Sequence, residues 1–314
     1  MTCATQDLVP QEKTIMMGTA LWGWGVDQKT AHAMLDGFAL AGGKWIDAAV
    51  NYPINGNAQD FGRANEIITS WLKGNPNSGM KVFCKIGAVD NSGEDRSNLG
   101  SAAIRTTTDI LRGNFSEALK GIGIHWDNRD DIFAIQETVS AMEALHNEGY
   151  LIGFSGVRRP DRYAEASPDL ARHWWIQIKE NASTKAARQH YFPHFPDARY
   201  IAYSVNMGGV KMDHRKSEKS SLALRNISEP EIASRLRAFL TDKHTFNPCP
   251  RTMNELAILM IFMNRALAGL ITGPRTAEQL CETLAFWQQL NEDAVGEKLH
   301  QNKSLKALMA LSDS

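Results

Sequence analysis

Short apolar runs alternate along this chain with longer segments in which apolar residues recur every three or four positions. A short apolar run bounded by glycine or polar residues is typical of a buried β-strand, and the wider spacing is typical of an amphipathic helix. The predicted strands are Ile15–Trp22, Lys44–Asp47, Lys81–Lys85, Gly121–His125, Leu151–Ser155, Trp174–Ile178, Tyr200–Ser204 and Ala268–Thr272. The predicted helices are Gln28–Ala41, Phe61–Leu72, Ser101–Leu111, Ile132–Glu148, Arg162–Ala171, Thr184–His190, Pro230–Leu240, Thr252–Asn264 and Thr276–Leu290.

This alternation indicates parallel strands joined by right-handed helical crossovers. Eight strands that alternate with helices in 314 residues predict an α/β fold, namely a single (β/α)8 TIM barrel. A doubly wound sheet is the competing fold, but it carries a glycine-rich turn after its first strand, and Gly18, Gly23 and Gly25 lack that spacing. We therefore expect one domain over residues 1–314. Outside the strand–helix units we predict an N-terminal tail or flap at 1–14, a long polar loop after strand seven at 205–228 and a polar helical C-terminal tail at 291–314.

Charge and cysteine usage limit the classes of partner. The formal net charge is −1, which favours neither nucleic acid nor an anionic membrane. The four cysteines form no CxxC pair, which favours a reducing compartment, and we expect a cytoplasmic protein. The segment Met1–Thr14 has no apolar core of a signal peptide, and the longest apolar stretch, Leu256–Met263, is too short to cross a bilayer. The expected partner is a small molecule, and oligomeric state is left open.

Four polar residues follow three successive predicted strands. Asp47 ends strand two, Tyr52 follows five positions later, Lys85 ends strand three and His125 ends strand four. Each has an ordinary interpretation alone, such as a turn cap, a packing residue or a solvated charge. Because strand ends of a parallel barrel meet at one face, however, we expect them to lie together.

Together these residues can protonate an oxygen. A free tyrosine has a pKa of about 10, and a nearby ammonium is expected to lower it. Asp47 would hold Lys85 in place and offset its charge. His125 could hydrogen-bond a carbonyl oxygen and orient the substrate. The sequence therefore predicts proton donation by Tyr52 while a hydride reaches carbon.

A second cluster follows strand eight, at Thr272–Gln279. Thr276 and Gln279 have the spacing of a capping box at a helix start, and Arg275 adds a forked cation. In barrels, the loops after strands seven and eight with a helix N-terminus commonly bind phosphate. The cluster fits either a phosphate site or an ordinary helix cap beside a surface arginine.

These motifs, in this order, resemble the aldo-keto reductase family over roughly Met17 to Gln289. The matching segments are Gly18–Gly23, Asp47–Tyr52, Cys84–Gly87, His125–Asp127, Gly153–Gly156, Gln177, Tyr203–Ser204 and Gly273–Leu280. The resemblance implies a barrel that binds NADPH across its mouth and reduces carbonyls. It also implies catalytic roles for Asp47, Tyr52, Lys85 and His125, with Tyr52 as proton donor.

The resemblance further implies ligand contacts. Ser155 and Gln177 would hold the nicotinamide carboxamide, Tyr203 would stack on the nicotinamide and Ser204 would meet the pyrophosphate. Arg275, Thr276 and Gln279 would hold the adenosine phosphate end. The full set expected at the cofactor is Gly18, Thr19, Trp22, Asp47, Ser155, Gln177, Tyr203, Ser204, Gly273, Arg275, Thr276 and Gln279. The set expected at the substrate is Trp22, Trp24, Tyr52, His125 and Trp126.

Three positions depart from the family pattern. Gly156 replaces an asparagine, Val205–Asn206 replace a Pro-Leu pair, and Ala48 replaces a threonine. The missing side chain at position 156 predicts a looser hold on the nicotinamide end, with Asn181 as a substitute contact. On that basis Gly156→Asn is expected to tighten NADP(H) by a few-fold, unless the backbone there needs a positive φ.

Other functions stay open at this point. The chain could be a non-catalytic barrel that binds nicotinamide cofactor as a sensor or accessory subunit. It could also be a lyase or isomerase that uses Lys85 as a Schiff base, although the paired Tyr52 argues against this. His190 and His194 are four positions apart, but the intervening Pro193 argues against a shared helix face, so no metal site is predicted.

Overall fold

The computed structural model describes residues 13–90, 96–213, 222, 228–292 and 295–311. Eight strands form a closed barrel in which each strand pairs in parallel with the next, and the last pairs with the first. The strands are β1 Thr14–Gly18, β2 Trp45–Ala49, β3 Lys81–Ile86, β4 Leu119–Asp127, β5 Leu151–Val157, β6 Trp174–Lys179, β7 Arg199–Tyr203 and β8 Gly269–Thr272. The predicted (β/α)8 TIM barrel is confirmed.

Helices follow the strands on the outside of the barrel. Within the described ranges they are α1 Gln28–Leu40, α2 Arg63–Gly74, α3 Ser101–Phe115, α4 Ile132–Asn147, α5 Pro160–Ala166, α6 Ala186–Tyr191, α7 Ile232–Thr241, α8 Met253–Met263, α9 Ala277–Leu290, α10 Val295–Gln301 and α11 Lys303–Leu311. Asp27 and Asp131 cap α1 and α4 with their side chains, and Thr252 with Glu255 forms a capping box on α8.

Several predicted bounds differ from the observed ones, and two of these differences have a clear physical reason. β1 ends at Gly18 and not at Trp22, because the apolar residues that follow form a buried turn. The predicted helix Arg162–Ala171 is instead α5 followed by a separate 3-10 turn, Pro168–Leu170. Proline disfavours a helical conformation in the preceding residue, so the helix stops before it.

Phe83 fills the inside of the barrel. It is fully buried with Met16, Trp175, Ile201 and Ile271. Its ring stacks on that of Trp175 with centroids 6.1 Å apart. The strands beside it carry glycines because a Cβ at those positions would lie 2.4 to 2.6 Å from the Phe83 ring. These glycines are Gly121, Gly123 and Gly153.

A second, larger core lies between the strands and the helices. α8 belongs to it almost entirely, because every residue of this helix except Asn254 and Glu255 is buried. The expectation that its methionines are packing residues is confirmed. Among the described helices, none is long and apolar enough to cross a membrane.

Some predicted segments lie partly outside the described residues. These are 1–12 of the N-terminal tail, 91–95 of the loop after strand three, 214–221 and 223–227 of the loop after strand seven, and 293, 294 and 312–314 of the C-terminal tail. Strand β1 includes Thr14, so the tail is shorter than predicted at its inner end. The described part of the C-terminal tail is helical, as expected.

Candidate active site

Asp47, Lys85 and His125 project from β2, β3 and β4 at the barrel mouth, and all three are buried. Lys85 Nζ donates to Asp47 Oδ1 in an ion pair whose two side chains are almost fully shielded from solvent. A buried ion pair of this kind is costly to break, since loss of one partner leaves an uncompensated charge. The predicted Asp47–Lys85 pairing is present.

Tyr52 lies in the loop after β2 and reaches the same group. Lys85 Nζ is 5.2 Å from the centre of the Tyr52 ring. The rings of Tyr52 and His125 meet edge to face, with centroids 5.8 Å apart and an angle of 87°. The structure therefore brings together all four residues that the strand ends predicted.

The environment of Tyr52 differs from the expectation in one respect. Burial, and then the charges of Asp47 and Tyr203, raise the pKa of Tyr52 well above 10. We had expected Lys85 to lower this pKa, but the Asp47 carboxylate offsets the ammonium and the site excludes water. Tyr52 is consequently a neutral phenol at any physiological pH and holds a proton that it can donate.

His125 is also neutral. Burial, and then the charge of Lys85, lower the pKa of His125 well below 6.5. Its Nδ1 is 2.9 Å from Oδ1 of the buried Asn51, and its ring stacks on that of Trp126 with centroids 4.1 Å apart. Sequence reasoning missed the Asn51 contact, because it joins the turn after β2 to β4, and only the closed barrel brings them together.

Asp47 has two further partners that sequence reasoning missed. Gln177 Nε2, on β6, donates to Asp47 Oδ1 across the barrel at 2.6 Å. Thr19 binds the Asp47 carbonyl through both its hydroxyl, at 2.9 Å, and its backbone N–H, at 3.2 Å. Gln177 and Thr19, both expected at the cofactor, thus also fix the position of the carboxylate that holds Lys85.

The aromatic residues predicted at the mouth separate into two groups. Trp22 is 0% exposed and packs within the core behind the site, so its side chain does not line the mouth as expected. Thr19 is equally buried. Trp24 and Trp126 are half-buried, and Trp126 follows His125 directly at the end of β4. Trp126 stacks on His125, and a role of Trp24 and Trp126 at the substrate stays a prediction.

Gly156 lies close to Trp126. Its φ is +75°, a left-handed conformation that side chains other than glycine seldom adopt. A Cβ added to it would be 2.6 Å from Trp126 Cδ1. The glycine therefore makes room for the indole. The positive φ is the exception attached to the expectation for Gly156→Asn, so tighter cofactor binding by that variant is no longer expected.

Ser155 and Gln177 lie next to each other in the barrel. The strand register pairs His125 with Ser155 and Ser155 with Gln177, so the three residues form a row across β4, β5 and β6. Ser155 and Gln177 are both nearly buried. They lie beside His125 in the barrel, and the contacts with a cofactor that the resemblance implies for them stay predictions.

The loop after β7 has an unusual backbone. Ser204 and Met207 adopt positive φ without being glycine, and Gly208 and Gly209 do so as well. Asn181 Nδ2 binds the Ser204 carbonyl at 2.9 Å, so Asn181 supports this loop and does not replace the side chain missing at position 156.

Asn206 supplies a free acceptor in the same loop. Its Oδ1 is buried and, in the described structure, has no hydrogen-bond partner. Its neighbours Tyr203 and Ser204 are half-buried at the strand end. A buried polar atom without a partner is costly unless a ligand satisfies it. Sequence reasoning noted Asn206 only as a departure from the family pattern.

The loop after β8 leads into the start of α9. Thr276 caps the helix by accepting from the Gln279 backbone N–H at 3.3 Å. Gln279 Oε1 accepts from the Arg275 backbone N–H at 3.0 Å, so the predicted capping box is only half formed. Partial burial lowers the pKa of Arg275. A Cβ on Gly273 would touch nothing, so the space beside this loop is open.

These features fit an extended nucleotide at the carboxyl ends of β5 to β8. Ser155, Gln177 and the unsatisfied Asn206 supply polar groups at one end, and a helix N-terminus with Arg275 supplies positive potential at the other. For metal binding, no suitable group of three His, Cys, Asp or Glu side chains occurs among the described residues. α6 ends at Tyr191, so His194 does not share a helix face with His190.

Comparisons with known proteins agree with this geometry. The family model described as the aldo/keto reductase family matches residues 14–298. The holo form of aldo-keto reductase AKR11C1 from Bacillus halodurans has a similar fold, with a TM-score of 0.66 at 15% identity, over 94% of this chain and 91% of that one. No curated protein matches the sequence. Because the family model spans most of its length, the chain belongs to the aldo/keto reductase family, whose members are oxidoreductases that act on carbonyl groups with a nicotinamide cofactor.

Proposed function

We propose that this protein reduces an aldehyde or ketone to the alcohol with NADPH, and that Tyr52 donates the proton. The buried group at the barrel mouth carries the proposal. Lys85 pairs with Asp47 and lies 5.2 Å from the Tyr52 ring, and His125 meets that ring edge-on. This arrangement is suited to giving a proton to an oxygen atom within a site that excludes water.

The residues divide the reaction between them. Bound NADPH would supply the hydride to the carbonyl carbon. Tyr52 gives its phenolic proton to the oxygen, so hydride and proton together account for the alcohol. The ammonium of Lys85 then stabilises the phenolate that is left, and Asp47 keeps Lys85 in place. His125, whose ring meets that of Tyr52 edge to face, would hydrogen-bond the carbonyl oxygen and orient it toward the Tyr52 hydroxyl.

The preference for NADPH rests on the far end of the site. Arg275 precedes the N-terminus of α9, where a guanidinium and unpaired backbone N–H groups both favour a 2′-phosphate. Thr276 and Gln279 complete this end, while Ser155, Gln177, Tyr203 and Ser204 serve the nicotinamide and pyrophosphate.

The substrate class is a small carbonyl compound, such as a sugar or another polar aldehyde or ketone. Trp126, which stacks on His125, would form an apolar wall next to the reacting group, and we propose that Trp24 extends it. We also propose a cytoplasmic location, which the free thiols of Cys84, Cys249 and Cys281 support.

Tyr52→Phe tests the reaction. We expect its turnover of a broad aldehyde panel to fall at least about 100-fold, because general acid catalysis is worth that much or more. NADPH binding should stay within a few-fold, since the phenol acts only in the chemical step. Single-turnover oxidation of bound NADPH measures the first quantity, and fluorescence titration measures the second. Tyr150→Phe is the matched control, because its hydroxyl binds only the exposed Arg112 among the contacts described.

Two outcomes would favour other functions. Tight NADPH binding without oxidation by any carbonyl compound would indicate a non-catalytic sensor or accessory barrel. Irreversible labelling of Lys85 by borohydride in the presence of substrate would indicate Schiff-base chemistry. Turnover by Tyr52→Phe close to that of the unmodified protein would show that another group is the acid.

A further inference from the structure

The turn after β7 has backbone donors to which the proposed reaction assigns no role. Ser204 begins this turn with a φ of +57°, and its carbonyl accepts from the Met207 N–H at 3.0 Å. Among the described residues, no hydrogen bond uses the N–H of Val205 or of Asn206. Val205 is only 7% exposed, and backbone N–H groups in such positions are seldom left without a partner. A ligand can supply that partner.

Asn181 fixes the first peptide of this turn. Its Nδ2 donates to the Ser204 carbonyl at 2.9 Å, and its Oδ1 accepts from the N–H and the hydroxyl of Ser183 at 2.9 and 2.8 Å. Since a carbonyl only accepts and a backbone N–H only donates, these contacts leave one orientation for the Asn181 amide. The C=O and the N–H of a trans peptide point in opposite directions, so the N–H of Val205 points away from Asn181.

The carboxylate next to Asn181 is bound elsewhere. Glu180 is 2% exposed, and its Oε1 accepts from Arg188 Nε at 2.9 Å and from Asn264 Nδ2 at 3.4 Å. Its ion pair with Arg188 also anchors the segment that carries Asn181. Asn181 is itself 6% exposed. The amide that contacts Ser204 is therefore part of a buried support for the turn.

We propose that the N–H of Val205, oriented by Asn181 as a positioning residue, binds the pyrophosphate of the nicotinamide cofactor. Successive N–H groups in a turn form a concavity that suits an anion, and the N–H of Asn206 follows directly. The Pro-Leu pair of the family pattern offers no N–H at its first position, because proline lacks one. The departure at Val205 therefore adds a donor here. The identity of the ligand rests on the proposed function.

Two probes separate this contact from the rest of the cofactor site. NADP⁺ carries the pyrophosphate, whereas adenosine 2′-monophosphate carries only the phosphate proposed to meet Arg275. Val205→Pro removes the N–H, and proline suits the second residue of a turn. We expect it to weaken NADP⁺ binding by at least roughly 10-fold, as for a charge-assisted hydrogen bond, and to leave binding of adenosine 2′-monophosphate within about two-fold. Isothermal titration calorimetry on the full chain measures both affinities.

Val205→Ala is the matched control, because it shortens the same side chain but keeps the N–H. It should bind both probes as the unmodified protein does. Asn181→Leu removes the support without changing the turn itself, and it guards against a folding defect in Val205→Pro. It should also weaken NADP⁺ selectively. Its own control is Asn75→Leu, since the Asn75 amide likewise donates to a backbone carbonyl, that of Trp71 at 3.0 Å, but at the end of α2.

A double-mutant cycle distinguishes orientation of the N–H from general support of the loop. If Asn181 acts through the N–H of Val205, Asn181→Leu should have little further effect on NADP⁺ affinity in the Val205→Pro background. Full additivity of the two losses would overturn the positioning role. A loss in Asn181→Leu that is equal for the two probes, or no loss for either, would overturn it as well.

The outcomes are separable from those of the proposed function. Selective weakening of NADP⁺ by Val205→Pro, in a protein that reduces no carbonyl compound, would support the contact and reject the reductase function. A protein that reduces carbonyl compounds with NADPH, and whose Val205→Pro and Val205→Ala variants bind NADP⁺ equally well, would overturn the contact alone. Failure of the unmodified protein to bind NADP⁺ would overturn both.

Discussion

Gly156 follows Ser155 near the end of β5, and a side chain there would meet the indole of Trp126. Both residues have positive φ, +75° for Gly156 and +61° for Trp126. The indole in turn stacks on His125. The glycine thus lets Trp126 cover His125 from the side of β5. From the sequence alone, Gly156 could be interpreted only as the loss of a side chain that contacts the cofactor, because the position of the Trp126 indole was not known.

Gly156→Ala should therefore destabilise the protein. A residue with a Cβ costs roughly 1–2 kcal/mol in left-handed backbone, and the contact with Trp126 adds to this. Urea denaturation measures the loss in unfolding free energy. Gly113→Ala serves as control, since Gly113 lies in α3 with nothing near its Cβ position. If Gly156→Ala loses no more stability with Trp126 present than in a Trp126→Ala background, the two residues do not interact.

Among the elements, the eight strands were predictable because each is a short apolar run that the barrel buries on both faces. Errors arose where apolar residues continued beyond the element. The residues after Gly18 stay mostly apolar through Trp22, but they form a turn in which Trp22 is fully buried and not a continuation of the strand. The helical spacing of apolar residues continues through Arg162–Ala171, so it did not reveal that the helix ends before Pro168. The hydrophobic pattern indicates which residues are buried, but a buried segment can be either a strand or a turn.

The start of α9 is where we propose that the choice between NADPH and NADH is made. We expect the protein to bind NADPH more tightly than NADH, and Arg275→Ala to narrow the difference. A charge-assisted contact contributes about 1.5–3 kcal/mol, or roughly 10- to 150-fold in affinity. Fluorescence titration with both cofactors gives the ratio of dissociation constants.

Arg265→Ala is the matched control, since it removes the same charge from the loop before β8 instead of the loop after it. It should leave the ratio unchanged. Equal dissociation constants of the unmodified protein for NADPH and NADH would contradict the expected preference. If Arg275→Ala leaves the ratio of the two dissociation constants unchanged, residues other than Arg275 cause the preference.

At the scale of the whole molecule, closure of the barrel completes the site. The strand ends of β2, β3 and β4 are consecutive, so their grouping followed from the sequence once the fold was known. The Gln177–Asp47 bond instead crosses the barrel from β6 to β2, and the two residues are 130 positions apart. The prediction that Lys85 lowers the pKa of Tyr52 was wrong, and the reason again lies in the closed barrel. Burial is a property of the closed molecule, and here burial is the largest cause of the raised pKa of Tyr52.

Phe83 links this closure to stability. It lies two residues before Lys85 on β3, and neighbouring strands carry glycines that leave room for its ring. Phe83→Ala should lower the unfolding free energy by about 3–5 kcal/mol, because surrounding strands cannot collapse into the space. The exposed Phe133 provides the control, and its replacement by alanine should change stability by less than about 0.5 kcal/mol. Urea denaturation of both variants measures the unfolding free energy. A decrease of less than about 1 kcal/mol for Phe83→Ala would contradict the expected packing role of the ring.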